Sequence, residues 1–369
     1  MRAGLIDRAA VLTAALVALS VLDGCGGGGG GSSSGSGESP GGSQTGSSGY
    51  TITDLGTLGG PTSSANGINN AGEVVGIADT SGSDEHGFLW RGALTDVGTV
   101  DGYPDSEATG INAVGMVVGG CDSDPTVPPH AFSYQGTTIT DLGGVNGDNG
   151  AWADGINTSG EIVGYDITAD GSFDAMIYPA GGSMTDIGTL PGGSYAEAFA
   201  VNDSGVAVGY SGVNDTDQHA FVYQNGAMTD IGVMGSGANS EAQAINASGV
   251  IVGSSDVDSS NTQAFVYQSG AMTDLGTLGG DDSFAYGINS SGVIVGGAFI
   301  STGDEHAFAY ASGVMTDLNT LLPTGSNWVL VEAHGINDSG AIVGDGTHNG
   351  VTRAFLLTPP VKAGNLRKL

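Results

Sequence analysis

HAFVYQNGAMTDIG occupies residues 219–232, and a near copy, QAFVYQSGAMTDLG, begins 44 residues later at Gln263. Parts of this pattern recur seven times along the chain. A TD pair followed by an apolar residue places aspartates at Asp54, Asp96, Asp141, Asp186, Asp230, Asp274 and Asp317. An Ile or Val followed by Asn, with Gly three residues on, gives Asn69, Asn112, Asn157, Asn202, Asn246, Asn289 and Asn337. Successive asparagines are 43 to 48 residues apart, which indicates a repeated structural unit.

Each unit contains four short apolar runs, which we label a to d. In the unit between Asp230 and Asp274 they are AQAIN, VIVGS, QAFVYQ and AMTDLG. These runs are rich in β-branched and aromatic residues and are too short for typical helices, so they predict strands. The a–b link, N-x-x-G, and the c–d link, NG or SG, are typical of tight hairpin turns. Four antiparallel strands repeated every 40–45 residues or so are typical of a β-propeller blade.

The two ends of the repeat region predict how the ring closes. YTITDLG, from Tyr50, is a lone strand d, whereas the last unit, Asn337 to Thr358, supplies strands a, b and c without a d. Pairing the N-terminal strand with the last three would complete a seventh blade and remove both open sheet edges. The sequence therefore predicts an all-β protein, a closed seven-bladed β-propeller over residues 50–358. The alternative, an open β-array, would need capping segments, and neither end shows one.

The landmarks DLGTLGG, GIN with a glycine three residues later, VVG and HAF resemble those of the HAF-repeat family of bacterial extracellular repeats. The resemblance covers Tyr50 to Thr358. It implies a secreted or surface repeat protein and brings no assigned activity. The first position of the HAF triplet departs from histidine in three of its seven copies; in order, it holds His86, His130, Asp174, His219, Gln263, His306 and Arg353.

The N-terminal residues predict export. Arg2 and Arg8 precede an apolar run, residues 9–22, that is too short for a typical membrane span. The run ends in LDGC, which resembles the lipobox of bacterial lipoproteins and implies a lipid on Cys25, although Asp23 is an unusual residue in that box. The expected location is the outer membrane or cell surface, with secretion as the alternative.

Composition predicts the domain order and limits the partners. Residues 1–24 are expected to form the export signal, 25–49 the anchor cysteine and a Gly/Ser tether, and 359–369 a C-terminal tail. The formal charge is −32, and Arg91 and Arg353 are the only Lys or Arg between Tyr50 and Thr358. Such a surface repels nucleic acid and anionic lipid. We expect a monomer that contacts a membrane only through its N-terminal lipid and that has a surface glycan or a protein as its ligand.

The repeated polar residues favour structural roles. Each HAF histidine lies on its own blade, so these histidines cannot converge on one metal ion; hydrogen bonds to neighbouring strands or to the TD aspartate are expected. The TD aspartate and the repeated asparagine are expected to satisfy backbone groups of turns. Cys121 is expected to be a packing residue without a disulfide partner.

The b–c loops are acidic, and their segments are residues 79–86, 121–125, 165–174, 213–218 and 256–261. None has the ligand order of an EF-hand loop. Solvation of the surface is the expected role of these carboxylates, with weak Ca²⁺ binding as the alternative. No other cofactor is indicated.

The start of strand a, nearest the axis of a propeller, holds the candidate binding residues. Alternation along a strand would point the positions five and three residues before each repeated asparagine toward one side. These positions mix carboxylates with aromatic rings, as in a site for a sugar or a cation. The ligand-binding residues predicted there are Glu107, Trp152, Asp154, Glu197, Glu241, Phe284, Tyr286, Glu332 and His334. The alternative is that the glutamates face solvent and the aromatics cover the adjacent blade.

The long b–c and d–a loops share one face of the predicted ring, and loops on a rigid scaffold commonly carry binding. We therefore predict a non-enzymatic surface binding or adhesion module for a glycan, a protein or a cation-bridged polymer, with no catalytic residue assigned. The alternative is a propeller hydrolase or lyase acting on a polysaccharide, with Glu107, Asp154, Glu197, Glu241 or His334 as general acid or base. The scarcity of cations and the absence of a Gly-x-Ser-x-Gly elbow between Tyr50 and Thr358 favour binding over catalysis. A spacer without a ligand is the third alternative.

Overall fold

A computed structural model describes residues 49–360 except 83, 101, 124–126 and 146–148, together with the backbone of 43–45. The predicted export signal, Cys25, most of the predicted tether and residues 361–369 lie outside the described residues. The described chain forms seven antiparallel sheets, each with four strands contributed by the repeat, and these are the blades of a β-propeller. The described residues contain no helix long and apolar enough to cross a membrane.

The strand bounds follow the repeat. In the order a, b, c, d, they are Gly59–Ile68, Val74–Thr80, Glu85–Trp90 and Leu94–Asp96 in blade 1; Asp105–Ile111, Val117–Asp122, His130–Gln135 and Thr138–Asp141 in blade 2; Ala151–Ile156, Ile162–Ile167, Phe173–Tyr178 and Thr185–Gly188 in blade 3; and Ala196–Val201, Ala207–Gly212, Gln218–Gln224 and Ala227–Gly232 in blade 4. They are Ser240–Ile245, Ile251–Asp256, Thr262–Gln268 and Ala271–Asp274 in blade 5, and Gly279–Ile288, Ile294–Ile300, Glu305–Ala311 and Val314–Asp317 in blade 6. Strands a, b and c of blade 7 are Trp328–Ile336, Ile342–His348 and Val351–Thr358, preceded by a short 3-10 helix at Leu318–Leu321.

The ring closes as the sequence predicts. Strand d of blade 7 is the N-terminal strand Thr51–Asp54, which pairs antiparallel with Val351–Thr358. Thr51 lies opposite Thr358, and Asp54 lies opposite Phe355. A further short strand, Ser43–Thr45, pairs with residues 51–53 on the outer edge of this blade. It falls within the stretch expected to be tether.

The hydrophobic core lies between blades. Seven clusters of buried side chains each join two neighbouring blades. At the closing seam, Val343 and Ala354 of blade 7 pack with Ala65 and Phe88 of blade 1. The third residue of the HAF triplet is fully buried in every blade; it is Phe88, Phe132, Met176, Phe221, Phe265, Phe308 or Phe355. Because burial of one such side chain contributes about 1.5–3 kcal/mol, each blade depends on its neighbours for stability.

The glycine of VVG is required by the close approach of strands a and b. A Cβ on Gly253 would lie 1.9 Å from the carbonyl oxygen of Glu241, and one on Gly344 would lie 2.0 Å from that of Glu332. The contact recurs in all seven blades at Gly76, Gly119, Gly164, Gly209, Gly253, Gly296 and Gly344. No larger residue fits without displacing strand a, which is the strand that surrounds the axis.

The repeated asparagines form a closed ring of hydrogen bonds. In each a–b turn, the side-chain oxygen accepts from backbone N–H groups of the turn, as Asn246 Oδ1 does from Ser248 and Val250 at 3.0 and 3.1 Å. The side-chain nitrogen donates to the carbonyl oxygen of the next asparagine in the ring at 3.1–3.3 Å. The last of these bonds runs from Asn337 to Asn69. The predicted role in the turn is confirmed, and the ring between blades adds to it.

The HAF histidines contact the TD aspartates, as expected. His219 Nδ1 lies 2.8 Å from Asp230 Oδ2, and the same contact is made by His86, His130 and His306 at 2.8–2.9 Å. In blade 5 the amide of Gln263 donates to Asp274. In blade 7 the partner of Asp54 is His348, at 3.0 Å, and not the aligned Arg353. Cys121 is buried, and burial raises the pKa of its thiol to about 11.

Candidate axial binding site

A β-bulge in strand a places one side chain of every blade at the axis. In blade 5 the pairing passes from Ala242–Gly253 directly to Ala244–Val252, so Gln243 has no residue opposite it. The same skip occurs in the other blades. A bulge changes the direction in which the side chain of the extra residue points. The seven bulge residues line one cavity of about 240 Å³; they are Asn66, Thr109, Asp154, Phe199, Gln243, Tyr286 and His334.

This axial cavity has two chemically different sides. Blades 1 to 3 contribute the amide, hydroxyl and carboxylate of Asn66, Thr109 and Asp154, whereas blades 4, 6 and 7 contribute the rings of Phe199, Tyr286 and His334. The rings of Tyr286 and His334 meet edge to face, with centroids 5.4 Å apart. Blade 5 contributes the amide of Gln243 among these rings. A ligand here would therefore meet three rings and one amide on one side and hydrogen-bonding groups on the other.

The residues five positions before the asparagines do not line this cavity, because the bulge interrupts the alternation that would have placed them there. Trp152 is 5% exposed, and its ring lies over Gly120, where a Cβ would stand 2.1 Å from it. Glu197 is also 5% exposed and accepts a hydrogen bond from Tyr210 at 2.9 Å. Neither of these predicted ligand-binding side chains lines the axial cavity. Phe284 stacks on Tyr286 with ring centroids 6.5 Å apart.

The remaining glutamates of the predicted site support the bulge residues. Glu107 accepts a hydrogen bond from the Asn66 amide at 2.8 Å. Glu241 accepts from Gln243 at 3.1 Å and from Gln218 at 2.6 Å. Burial, with the nearby charge of Glu197, raises the pKa of Glu241. Since these glutamates precede the bulge in strand a, they stand on the side of the cavity nearer the long loops.

A cluster of ionisable groups lies where blades 6 and 7 meet. His334 Nε2 is 3.1 Å from Glu332 Oε2 and 3.7 Å from Asp345 Oδ1. The Tyr286 hydroxyl donates to the other oxygen of Glu332 at 3.2 Å. His334 Nδ1 lies 3.0 Å from the carbonyl oxygen of Ala65 in blade 1. Three predicted site residues, Tyr286, Glu332 and His334, are thus brought together with one that was not predicted, Asp345.

The pKa values within this cluster move in opposite directions. Burial raises the pKa of Glu305 to about 8, and the charges of Glu332 and Asp345 add to the shift. Burial likewise raises the pKa of Asp345 to about 6, against the opposing charge of His334. For Glu332, burial is outweighed by the bond to His334, so its pKa is lowered. For His334, the burial that would lower its pKa is outweighed by Glu332, which raises it to about 9.

Glu305 and Asp345 lie outside strand a, the strand on which the sequence predicted the binding residues. Asp345 lies on strand b, directly after the VVG glycine. Other blades have different residues at this position, in order Ile77, Gly120, Tyr165, Tyr210, Ser254 and Gly297. Glu305 begins strand c, just before His306. The sequence signal that could have identified Asp345 is the variation at its position, which directly follows a glycine present in every blade.

The carboxylates of several acidic b–c loops bind the backbone of their own loop. Asp258 Oδ1 accepts hydrogen bonds from the N–H groups of Ser260 and Asn261 at 2.8 and 3.0 Å, which lowers its pKa. Hydrogen bonds from Thr168 and Ser172 lower the pKa of Asp170 to about 2. Among the described residues, the one group of three His, Cys, Asp or Glu side chains close enough to share a metal ion is Glu332, His334 and Asp345. The arrangement expected of a metal site therefore occurs near the axis and outside these loops.

Comparison with known proteins supports the β-propeller fold and does not assign an activity. No curated protein matches the chain. A family model described as a protein of unknown function (DUF3466) matches residues 192–355, from the start of blade 4 to strand c of blade 7.

Among solved structures, the chain is similar to the β-propeller domain of the Trilobed protease from Pyrococcus furiosus, with 8% identity and a TM-score of 0.53 over 82% of this chain and 99% of that one. That likeness shows the fold alone. The Pyrococcus domain is described as having an open velcro topology, whereas strands from both ends of the present chain close blade 7.

Two further similarities are lower in TM-score. TolB from Acinetobacter baumannii is 13% identical with a TM-score of 0.44, over 79% of this chain and 64% of the TolB chain. The six-bladed lectin of Aleuria aurantia is 14% identical with a TM-score of 0.38, over 70% of this chain and 96% of the lectin.

Proposed function

We propose that the protein is a non-enzymatic binding module whose ligand enters the axial cavity from the face of the long loops. The supporting observation is a contrast within strand a. The residue before each bulge is a fully buried alanine in all seven blades, at Ala65, Ala108, Ala153, Ala198, Ala242, Ala285 and Ala333. The bulge itself holds seven different residue types. Variation at the one position that lines the cavity, directly after an invariant alanine, supports an asymmetric ligand.

The ligand that best fits the cavity is one sugar unit, neutral or carrying an amine. No Lys or Arg lines the cavity, and a formal charge of −32 repels anions. Aromatic rings on one side and amide, hydroxyl and carboxylate groups on the other match the apolar face and the hydroxyls of a pyranose. The volume, about 240 Å³, is below the 300–1,000 Å³ or so of sites for drug-sized ligands, which favours the end of a glycan over its interior.

Calorimetric titration with neutral, amine-bearing and acidic oligosaccharides, all in EDTA, tests this proposal. Loss of one stacking ring in Phe199→Ala is expected to remove about 0.5–1.5 kcal/mol, which is about 2- to 12-fold in Kd. Tyr267→Ala is the matched control, because Tyr267 lines a separate groove between blades 4 and 5. A preference for acidic sugars, or equal losses in both variants, would rule out the axial cavity as the sugar site.

A second candidate is a polysaccharide-cleaving enzyme, and Glu305 favours it. Glu305 has a pKa raised to about 8, while the pKa of neighbouring Glu332 is lowered. Paired carboxyl groups shifted in opposite directions are characteristic of a general acid with a nucleophile or base. Mass spectrometry of oligosaccharides incubated with the protein would detect cleavage, and Glu305→Gln should abolish it. Binding without any cleaved product would leave the binding module as the function.

We also propose that the propeller works outside the cell, held by a lipid on Cys25. LDGC and the apolar run before it support this, and so does the resemblance of the repeats to bacterial extracellular repeats. The Gly/Ser segment after Cys25 would act as a flexible tether that lets the propeller stand clear of the membrane.

A further inference from the structure

We propose that Glu332, His334 and Asp345 bind a zinc-type divalent metal ion at the rim of the axial cavity, with the carboxylate of Glu305 beside the site. One ligand atom from each of the first three residues lies within 4.8 Å of the others. Zinc bonds of about 2.0–2.2 Å in a tetrahedral site place ligand atoms about 3.3 Å apart. The distances from His334 Nε2, 3.1 Å to Glu332 and 3.7 Å to Asp345, bracket that value. This site does not depend on the proposed sugar binding.

The backbone fixes the imidazole in the orientation that a metal needs. Ala65 offers a carbonyl oxygen, which only accepts, so His334 Nδ1 carries its proton and donates at 3.0 Å. Nε2 is thereby turned toward the two carboxylates. Metal-binding histidines commonly donate their other ring N–H to a backbone carbonyl, which sets the tautomer. On binding, the ion would replace the proton between Nε2 and Glu332, and that proton would pass to solvent.

Glu305 supplies a carboxylate oxygen that lacks a partner. Its Oε1 is buried and accepts no hydrogen bond within the described chain. It occupies space opened by Gly297, where a Cβ would lie 2.4 Å from this oxygen and 3.4 Å from Glu332 Cγ. Burial of an unpaired carboxylate oxygen is unfavourable. A cation coordinated by Glu332 and Asp345 would provide the missing partner.

The equivalent position between blades 1 and 2 shows what is specific to this site. Glu85 and Glu107 correspond there to Glu305 and Glu332. Thr109 stands in place of His334, and Gly120 stands in place of Asp345. Glutamates alone are thus repeated elsewhere in the ring, whereas blades 6 and 7 add the imidazole and the third carboxylate. Imidazole with carboxylates favours zinc and its neighbours in the first transition row over Ca²⁺ or Mg²⁺.

The test is metal binding by the whole protein, stripped with EDTA and freed of the chelator. Zinc affinity is measured by competition with a chromophoric chelator, and Co²⁺ substitution reports tetrahedral coordination by its visible absorption. We expect one strong site per chain. His334→Gln and Asp345→Asn should each weaken zinc binding by at least ~10-fold, since loss of even an outer-shell partner has that effect. Glu305→Gln should weaken it too.

His219→Gln is the matched control, because His219 pairs with Asp230 far along the ring from this cluster. It should bind zinc as the unaltered protein does. Circular dichroism and thermal unfolding in EDTA establish that each variant is folded before its affinity is compared. Three results would each overturn the proposal. They are an equal loss of zinc affinity in His219→Gln and His334→Gln, an affinity for Ca²⁺ as high as that for zinc, and the absence of a tetrahedral Co²⁺ spectrum. The sugar titrations are done in EDTA, so either proposal can fail without the other.

Discussion

Replacement of Asp174 by asparagine should stabilise the protein at neutral pH. Strand c of blade 3 carries Asp174 at the position where four other blades carry a histidine facing the TD aspartate. Asp174 therefore faces a second carboxyl, Asp186. Burial, followed by the charge of Asp186 and a hydrogen bond between the two carboxyls, raises the pKa of Asp174 to about 6 from an ordinary 3.8.

The direction and size of the effect follow from this shift. The folded protein holds the Asp174 proton more tightly than the unfolded chain does, so stability falls as pH rises from about 4 through about 6. At 1.36 kcal/mol per pKa unit, the unscreened loss at pH 7 is about 3 kcal/mol. Solvent screens this partly exposed side chain, and we expect about 1–1.5 kcal/mol. The amide of Asp174→Asn resembles the protonated acid and, like Gln263 in blade 5, is able to donate to its aspartate.

Urea unfolding at pH 3.0 and pH 7.5 measures the effect. The free energy of unfolding of Asp174→Asn should exceed that of the unaltered protein by about 1–1.5 kcal/mol at pH 7.5, with a rise in Tm of about 2–4 °C. At pH 3.0 the difference should be small, because Asp174 is then mostly protonated in both the folded and the unfolded chain. The control is Asp258→Asn, in the b–c loop of blade 5, where hydrogen bonds lower the pKa and loss of charge should not stabilise. A gain that is equal at both pH values would refute carboxyl repulsion as its cause.

Three further perturbations test the scaffold and the anchor. Asn246→Asp keeps the acceptor of the a–b turn but loses the amide that donates to Asn289, so urea unfolding should show a loss of about 1–3 kcal/mol; an unchanged stability would mean that the ring adds nothing to the turn. Gly253→Ala would bring a Cβ within 1.9 Å of the Glu241 carbonyl oxygen and should cost about 1–3 kcal/mol or more; a neutral result in the same assay would show that strand a moves freely. Cys25→Ser should abolish lipid attachment, seen by mass spectrometry as loss of a diacylglycerol-sized mass from the mature chain, and an identical mass pattern would exclude the lipid.

The fold was predictable because the same sequence landmarks recur in every blade. Spacing of the asparagines gave the number of blades, and the lone strand from Tyr50 gave the closure later seen in the pairing with Val351–Thr358. The site was only partly predictable. A bulge at Gln243 or His334 leaves no mark in hydrophobic periodicity, so alternation wrongly placed Trp152 and Glu197 beside the axis. Glu305 and Asp345 reach the cluster from other strands, and only the packing of blade 6 on blade 7 brings them there.

In each blade, the residues that hold strand a in place differ from the bulge residue that lines the cavity. The backbone of strand a is held by the VVG glycine, the buried alanine and the asparagine ring, and none of these contacts uses the side chain of the bulge residue. Gln243 and its six counterparts have no residue opposite them in the sheet, so cross-strand pairing does not fix which residue stands there. The axial surface is therefore able to differ in every blade while the ring stays regular. Such a division would let a regular scaffold carry the asymmetric ligand site that we propose.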